Sequence, residues 1–240
     1  MKLHLEQKPQ NVRLVLGFPG FGLVGTIATK FLIEHLDVER IGCVESDKLL
    51  PLAAIHKTKL IGPLDLFYCK KFKMVILQTL SEVAGFEWAM AEIIEDLSRQ
   101  LNVKEIVILE GLPSNKSKSA MKTYFYSENH LKMGEKLGLI NLQEGIMMGV
   151  TAAVMLRVKD IPVSSILAES PSKFPDSEAA AKAIQTLDQY WKIDIDYKPL
   201  MKAAQNFESM LKQMMSKVQG QQLQGSVKQS KKSNDLAYIG

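Results

Sequence analysis

The stretch LVLGFPGFGLVGTIATKFLIEHL, residues 14–36, joins an apolar run to an amphipathic segment through a glycine-rich turn. The apolar run predicts a buried β-strand, and the apolar spacing of the second half predicts a helix. Gly20, Gly22 and Gly25 between them have the G-x-G-x-x-G spacing of a dinucleotide-binding turn. A strand, a glycine turn and a helix in this order are typical of α/β proteins.

The alternation of strand and helix continues along the chain. Apolar spacing predicts strands at 40–45, 64–69, 74–80, 105–109, 121–126 and 163–168, and helices at 86–101, 146–156 and 177–191. Continuously apolar strands are typical of parallel sheets that are covered on both faces. We therefore predict an α/β core domain over residues 1–196, in which helices sandwich a mostly parallel sheet.

Two segments of different composition follow this domain. Residues 197–219 have apolar side chains at helical spacing, which predicts an amphipathic helix that either packs on its own domain or contacts another subunit. The candidate subunit contacts are Phe207, Met210, Leu211 and Met214. Residues 220–240 are mostly polar and are predicted to form a flexible tail. The tail ends in the apolar residues typical of a docking peptide: Leu236, Ala237, Tyr238, Ile239 and Gly240.

Charge and composition limit the classes of partner. The chain of 240 residues has a net charge of +4, and no basic stripe with interleaved aromatic residues, so we expect no nucleic-acid partner. No window approaches the ~20 apolar residues of a membrane span, and the polar N-terminus favours a cytoplasmic protein. Cys43 and Cys69 lack a C-x-x-C partner and the four histidines lack ligand spacing, so we expect no metal.

The glycine turn allows two interpretations. Glu45 lies twenty residues after Gly25, where the ribose-binding acid of a dinucleotide site would sit. Against this, Pro19 removes an N–H donor from the turn, and residues 17–26 contain no charged side chain. We favour a structural turn without a cofactor, and we keep a nucleotide-binding enzyme or sensor as the alternative. The glycines that permit left-handed conformations and close packing are then Gly17, Gly20, Gly22 and Gly25.

Few residues have the pattern of catalytic groups. Ser114 follows a strand but lacks the G-x-S-x-G elbow, which favours a turn residue. Asp176 precedes a helical pattern, and we predict that it caps that helix. Glu110 lies at the end of a strand, where ligand crevices of α/β proteins form, and Glu82 and Glu87 are candidates for the same rim. We predict no catalytic residue and therefore a protein that is not an enzyme.

Several stretches, in order, resemble the proteasome assembly chaperone family in its archaeal and bacterial form. LGFPGFGLVGTIATKFLIEHL (16–36) resembles its N-terminal signature, and ILEGLPSN (108–115) resembles its strand followed by a glycine turn. EGIMMGVTAAVMLRVKDIPVSSILAES (144–170) and PDSEAAAKAIQTL (175–187) are similar to its later helices and the strand between them. The resemblance covers residues 12–190, which is most of the predicted core domain.

The resemblance implies a nucleoside-phosphorylase-like topology without catalytic residues, self-association, and contact with the α subunits of the 20S proteasome. It also implies a docking tail that ends in a hydrophobic residue, a tyrosine and any residue. Here Ala237, Tyr238 and Ile239 have that order, but Gly240 follows and displaces the terminal carboxylate by up to ~3.6 Å. A scaffold for another small protein is the third interpretation.

Overall fold

A nine-stranded sheet forms the centre of the structure, a computed structural model that describes residues 1–47, 49, 53–56, 58–116, 120–171, 173–200 and 202. Within these residues the strands are β1 (Lys2–Leu5), β2 (Arg13–Gly17), β3 (Glu39–Glu45), β4 (Ala54–His56), β5 (Lys59–Ile61), β6 (Leu64–Cys69), β7 (Met74–Thr79), β8 (Glu105–Pro113), β9 (Thr123–Ser127), β10 (Ile140–Asn141) and β11 (Val163–Ser170). Strands β4 and β5 form a separate antiparallel hairpin.

The sheet has the order β1-β3-β6-β7-β2-β8-β11-β9-β10. Strands β7, β2, β8 and β11 are parallel to one another and form its centre. On one side, β1, β3 and β6 continue the sheet through antiparallel pairs, and on the other side β9 is antiparallel to β11. The predicted parallel sheet therefore forms the centre of a larger mixed sheet.

Helices cover both faces of this sheet, as the α/β prediction requires. They are α1 (Val24–His35), α2 (Glu87–Gln100), α3 (Leu131–Lys136), α4 (Gly149–Arg157) and α5 (Ser177–Trp191). Helices α1 and α5 share one buried apolar cluster, and α2 and α4 share the cluster on the opposite face. Because β2 contributes residues to both clusters, its Leu14, Val15 and Leu16 are fully buried.

Most of the predicted elements are confirmed. The predicted strand 64–69 and helix 177–191 have the observed bounds, whereas β8 continues four residues beyond the predicted 105–109 to Pro113. The sequence patterns missed the short elements β1, β4, β5, α3 and β10.

The C-terminal segment is described only at its start. Residues 198–200 and 202 are helical, in agreement with the helix predicted near Pro199, and Leu200 is buried. Residues 203–240, which hold the rest of that predicted helix and the predicted tail, lie outside the described residues. Of the helices described, none combines the length and the apolar character that crossing a membrane requires.

Candidate functional site

The glycine turn links β2 to α1 through two left-handed residues. A 3-10 turn spans Phe21–Leu23, in which Gly22 has φ +64° and Leu23 has φ +49°. The Leu23 amide donates to the Gly20 carbonyl at 3.1 Å, which closes the turn. Glycine at position 22 accommodates the first of these left-handed conformations without the steric cost of a Cβ atom.

Strand β2 and helix α1 lie so close together that two glycines are required. A Cβ atom built on Gly17 would lie 2.2 Å from the Gly25 carbonyl oxygen, and one on Gly25 would lie 2.3 Å from the Leu109 carbonyl oxygen. At Gly20 the nearest atom, the Phe18 carbonyl oxygen, is 3.8 Å away, so the packing there leaves room for a methyl group. The turn is therefore fixed by the backbone around Gly17 and Gly25.

Asp176 ties the turn to helix α5. Its side chain accepts a hydrogen bond from the Ala179 amide at 3.0 Å, which confirms the predicted N-cap, and another from the Ser170 hydroxyl at 2.8 Å. Its backbone amide donates to the Gly22 carbonyl at 2.8 Å. A Cβ atom on Gly22 would lie 2.6 Å from the Ser170 hydroxyl oxygen, so the chain itself fills the space beside this glycine.

The alternative dinucleotide site is not assembled. Glu45 lies at the end of β3, and β6 and β7 separate that strand from β2, so the predicted ribose-binding acid is far from the glycine turn. This alternative loses its acid because the next strand along the chain is not the neighbouring strand in the sheet. Glu45 instead lies 3.1 Å from His4 Nε2 on the edge strand β1.

A cleft of about 250 Å³ opens beside the turn, at the carboxyl ends of β2, β7 and β8. The chain leaves β2 toward the face that carries α1, and it leaves β7 toward the opposite face, which carries α2. Connections that diverge in this way create the crevice in which α/β proteins commonly bind ligands. The cleft thus occupies the position that the sequence predicted for Glu110.

Three glutamates line this cleft, which we call the Glu110 cleft. Glu110 is joined there by Glu82 and Glu87, so the structure brings together the three carboxylates that were candidates for one rim. Glu82 is exposed, whereas the Glu87 carboxylate accepts a hydrogen bond from the Gly85 amide at 3.0 Å. No lysine, arginine or histidine is among the described residues that line the cleft.

Glu110 is the most enclosed of the three. Its Oε2 atom has less than 1 Å² of accessible surface and has no hydrogen-bond partner among the described residues. Burial raises the pKa of its carboxyl group, and a hydrogen bond with the Thr151 side chain opposes this only in part. Thr151 belongs to the first turn of α4, which begins at the cleft.

Apolar side chains form the walls and the rim of the cleft. Phe18 and Val150 are buried beside the carboxylates, whereas Met148 is 75% exposed. Trp88, the neighbour of Glu87 at the start of α2, is 60% exposed. The cleft therefore combines a carboxyl group at its base with an exposed apolar rim.

A second polar cluster, which the sequence analysis missed, lies at the opposite end of β8. Glu105 Oε2 accepts a hydrogen bond from Trp191 Nε1 at 3.1 Å, and Oε1 accepts one from the Tyr190 hydroxyl and lies 3.3 Å from His130 Nδ1. The Arg13 guanidinium lies 4.5 Å from the centre of the Trp191 ring. The partners of Glu105 lie 25 or more positions from it along the chain, so no local sequence pattern indicates the cluster.

The other residues singled out in the sequence either lie in a turn or fall outside the described residues. Ser114 forms a turn, in which its hydroxyl oxygen accepts a hydrogen bond from the Lys116 amide at 3.4 Å. In the described part of the chain, no group of three His, Cys, Asp or Glu side chains is placed to hold a metal ion. The predicted docking residues Leu236–Gly240 and the predicted subunit contacts Phe207, Met210, Leu211 and Met214 lie outside the described residues.

Comparison with known proteins gives consistent matches over most of the chain. A model of the PAC2 family matches residues 14–215. The uncharacterised protein MJ0106 of Methanocaldococcus jannaschii is 26% identical over 209 residues, which cover 85% of this chain and 86% of that protein.

Two solved structures from Pyrococcus furiosus have a similar fold. PbaA, an archaeal homolog of proteasome-assembly chaperone, matches with a TM-score of 0.81 at 25% identity over 89% of this chain and 95% of PbaA. PbaB, an archaeal proteasome activator, matches with a TM-score of 0.74 at 16% identity over 89% of this chain and 98% of PbaB. The PbaB similarity bears on the fold alone.

Proposed function

The chain belongs to the PAC2 family, and from this we propose that it is a non-enzymatic chaperone or activator of the 20S proteasome. The observation that carries the proposal is the similarity to PbaA, a homolog of proteasome-assembly chaperone, in both sequence and fold over 89% of the chain. The dinucleotide alternative loses its main support because Glu45 and the glycine turn are far apart.

The contact we propose is the C-terminal tail on the α subunits of the 20S particle. Leu236–Gly240 is an apolar segment that follows the polar sequence QGQQLQGSVKQSKKSND. Tyr238 is the proposed anchor, because a tyrosine supplies a large apolar surface and a hydroxyl group that can be hydrogen-bonded in a pocket. About 18 residues of flexible linker span ~20–25 Å on average, which gives the tail reach beyond the folded domain.

Several tails on one oligomer would bind more tightly than a single tail. We propose self-association through the segment that carries Phe207, Met210, Leu211 and Met214, since these apolar residues have helical spacing. Linked binding sites act at a high effective concentration, so a weak tail contact gains affinity when it is repeated. Replacing Phe207 and Met210 with serine is expected to lower the oligomer mass measured by light scattering.

The decisive experiment measures binding of the full chain to purified 20S particles by co-elution and by interferometry. Deletion of residues 236–240, or Tyr238→Ala, is expected to weaken binding by about tenfold or more, the effect of losing an interface anchor. Gln229→Ala, in the polar part of the same tail, serves as the matched control and is expected to bind normally. Light scattering must give an unchanged oligomer mass for every variant.

The outcomes separate the parts of the proposal. Undiminished binding by the truncated chain would overturn the tail as the contact, while the role at the proteasome would stand. Absence of binding by the full chain, in both co-elution and interferometry, would overturn that role and favour a scaffold for another protein. Peptidase activity measured in parallel distinguishes activation from assembly of the particle.

A further inference from the structure

We propose that residues 203–211 pack as a helix into an apolar groove beside α1 of the same chain, with Phe207 and Leu211 as the buried side chains. This inference goes beyond the proposed function, because it concerns how the C-terminal segment attaches to its own domain and does not depend on 20S binding. It is based on a groove among the described residues, on the burial of Leu200 there, and on the sequence that follows.

A groove of about 470 Å³ runs beside α1, and we call it the α1 groove. Its lining extends from Leu23, which immediately precedes α1, to His35, the last residue of that helix, a length of ~18 Å for twelve helical residues. Between them Ile27 and Phe31, four positions apart, share one face of the helix. The α1 groove therefore offers an apolar surface as long as α1 itself.

The C-terminal segment begins in this groove. Leu200 lines it, is buried, and belongs to the apolar cluster shared by α1 and α5. Residues 198–200 and 202 are helical, and Lys198 and Lys202, two positions on either side of Leu200, are exposed. The helix therefore starts with the side that carries Leu200 toward the domain and the side that carries the two lysines toward solvent.

The sequence after Leu200 keeps its apolar residues on that same side. A helix turns by ~100° per residue, which places Phe207 and Leu211 within ~20° of Leu200 and Ala204 within ~40°. Several polar residues of the segment fall more than ~100° away: Gln205, Asn206, Ser209, Lys212 and Gln213. From Leu200 to Leu211 a helix rises ~17 Å, which matches the length of the α1 groove.

The same chain is the favoured occupant of the groove. Only two residues separate Leu200 from residue 203, so this segment is present at a high effective concentration, whereas a helix from a second copy is not. A short helix is also marginally stable in water by itself, and most of its stability in proteins comes from packing an apolar face. The α1 groove provides that packing where the helix begins.

The proposed packing leaves one edge of the helix accessible. Met210 lies ~80° from Leu200, at the border between the apolar and the polar side. A second copy can contact this edge while Phe207 and Leu211 face the groove, so the packing is compatible with the self-association proposed above.

Disulfide trapping in the full chain tests the position of the segment. Ile27→Cys is combined in turn with Ala204→Cys, Phe207→Cys and Leu211→Cys, and each protein is oxidised and run on a denaturing gel without reductant. The background is Cys43→Ser, because Cys43 is partly exposed whereas Cys69 is buried. We expect at least one pair to form a disulfide within a single chain, detected as a linked peptide from the band of monomer mass.

The matched control combines Ile27→Cys with Ser209→Cys, which lies on the opposite side of the helix, ~180° from Leu200. This pair is expected to remain reduced. A disulfide between two chains would overturn the proposal and assign the groove to the segment of a second copy. Absence of a disulfide at all three positions, or equal trapping of the control, would overturn it as well, whatever the result with 20S particles.

A second measurement needs no introduced cysteine. Phe207→Ala removes a buried aromatic ring, and we expect the midpoint of thermal unfolding to fall by about 5 °C or more. Gln205→Ala, on the polar side of the same segment, is expected to leave the midpoint unchanged. Equal midpoints for the two variants would show that Phe207 does not pack on the folded domain and would overturn the proposal.

Discussion

Two glutamates on the same strand have opposite environments. Glu105 begins β8, and its two carboxylate oxygens accept hydrogen bonds from Tyr190 and Trp191 at the end of α5. Glu110 lies five residues further along, at the other end of the sheet, and its Oε2 atom is buried without a partner among the described residues. The amino end of the strand is thus held by side chains, whereas the carboxyl end is held by backbone packing around the glycine turn.

The comparison distinguishes a carboxylate whose hydrogen bonds stabilise the fold from one whose hydrogen bonds the fold leaves incomplete. The Glu105 carboxylate, with a hydrogen-bond donor to each oxygen, contributes to the fold, and burial of the Tyr190 hydroxyl together with its hydrogen bond to Glu105 raises the pKa of that hydroxyl. The Glu110 carboxyl group has a hydrogen bond with Thr151 but an enclosed Oε2 atom without a partner among the described residues, so ionising it costs stability. The contrast predicts that Glu105→Ala lowers the stability of the fold, whereas Glu110→Gln raises it at neutral pH.

The largest effect is expected where the backbone itself holds the carboxyl end together. Gly25→Ala places a Cβ atom 2.3 Å from the Leu109 carbonyl oxygen, which forces α1 away from β8 and should destabilise the fold by about 3 kcal/mol or more. Gly20→Ala is the control in the same turn, because the nearest atom is 3.8 Å away, and we expect a change within ~0.5 kcal/mol. Urea unfolding followed by circular dichroism measures both; equal effects would contradict the packing argument.

The second-largest loss of stability is expected from side chains at the amino end of β8. Glu105→Ala leaves the Trp191 indole without its acceptor and removes one of the two partners of the Tyr190 hydroxyl, the other being His130 Nδ1 at 2.8 Å. We expect a loss of about 2 kcal/mol of unfolding free energy. Glu92→Ala, which removes an exposed carboxylate 3.6 Å from Arg157, is the control and should change the unfolding free energy by less than ~0.5 kcal/mol.

A double-mutant cycle tests whether Glu105 and Tyr190 act together. Tyr190→Phe removes the same hydrogen bond from the other side, so the double variant should be less destabilised than the sum of the two single variants. Additive losses would show that the cluster around Glu105 stabilises the sheet by packing alone.

The two ends of β8 also differ in how far the sequence predicts them. The glycine turn, the helix cap at Asp176 and the rim position of Glu110 follow from local patterns: G-x-G-x-x-G, a polar residue before a helix, and the end of an apolar strand. The Glu105 cluster does not, since its members come from β2, β8, α5 and the loop before α3 and meet only through the sheet order. Strand order is likewise not contained in local patterns: β3, which ends at Glu45, follows β2 along the chain, but β6 and β7 lie between them in the sheet.

Local patterns also failed for the shortest elements. Strand β10 has two residues and α3 has six, lengths at which apolar periodicity cannot be recognised. Strand β1 alternates between exposed and half-buried residues at the edge of the sheet, so it lacks the continuous apolar run that revealed the central strands. Pairing with β3 places this strand, and such long-range contacts cannot be read from a local window.

The smallest effect, and the one of opposite sign, is expected for Glu110→Gln. Burial raises the pKa of the Glu110 carboxyl, so the folded chain retains a proton that the unfolded chain loses as the pH rises above the ordinary glutamate value. The stability of the native protein therefore falls over this pH range. Glutamine does not titrate, so the variant should be more stable by about 1 kcal/mol at pH 7.5, with the gain shrinking toward pH 4.

Thermal unfolding of both proteins across this pH range measures the difference. A variant that is less stable at pH 7.5 would mean that the charged carboxylate is satisfied in the folded state, and Glu110 would then belong with Glu105 among the structural residues. A gain at pH 7.5 that shrinks toward pH 4 would show that the cost of ionising the enclosed Glu110 carboxyl group is the origin of the difference in stability.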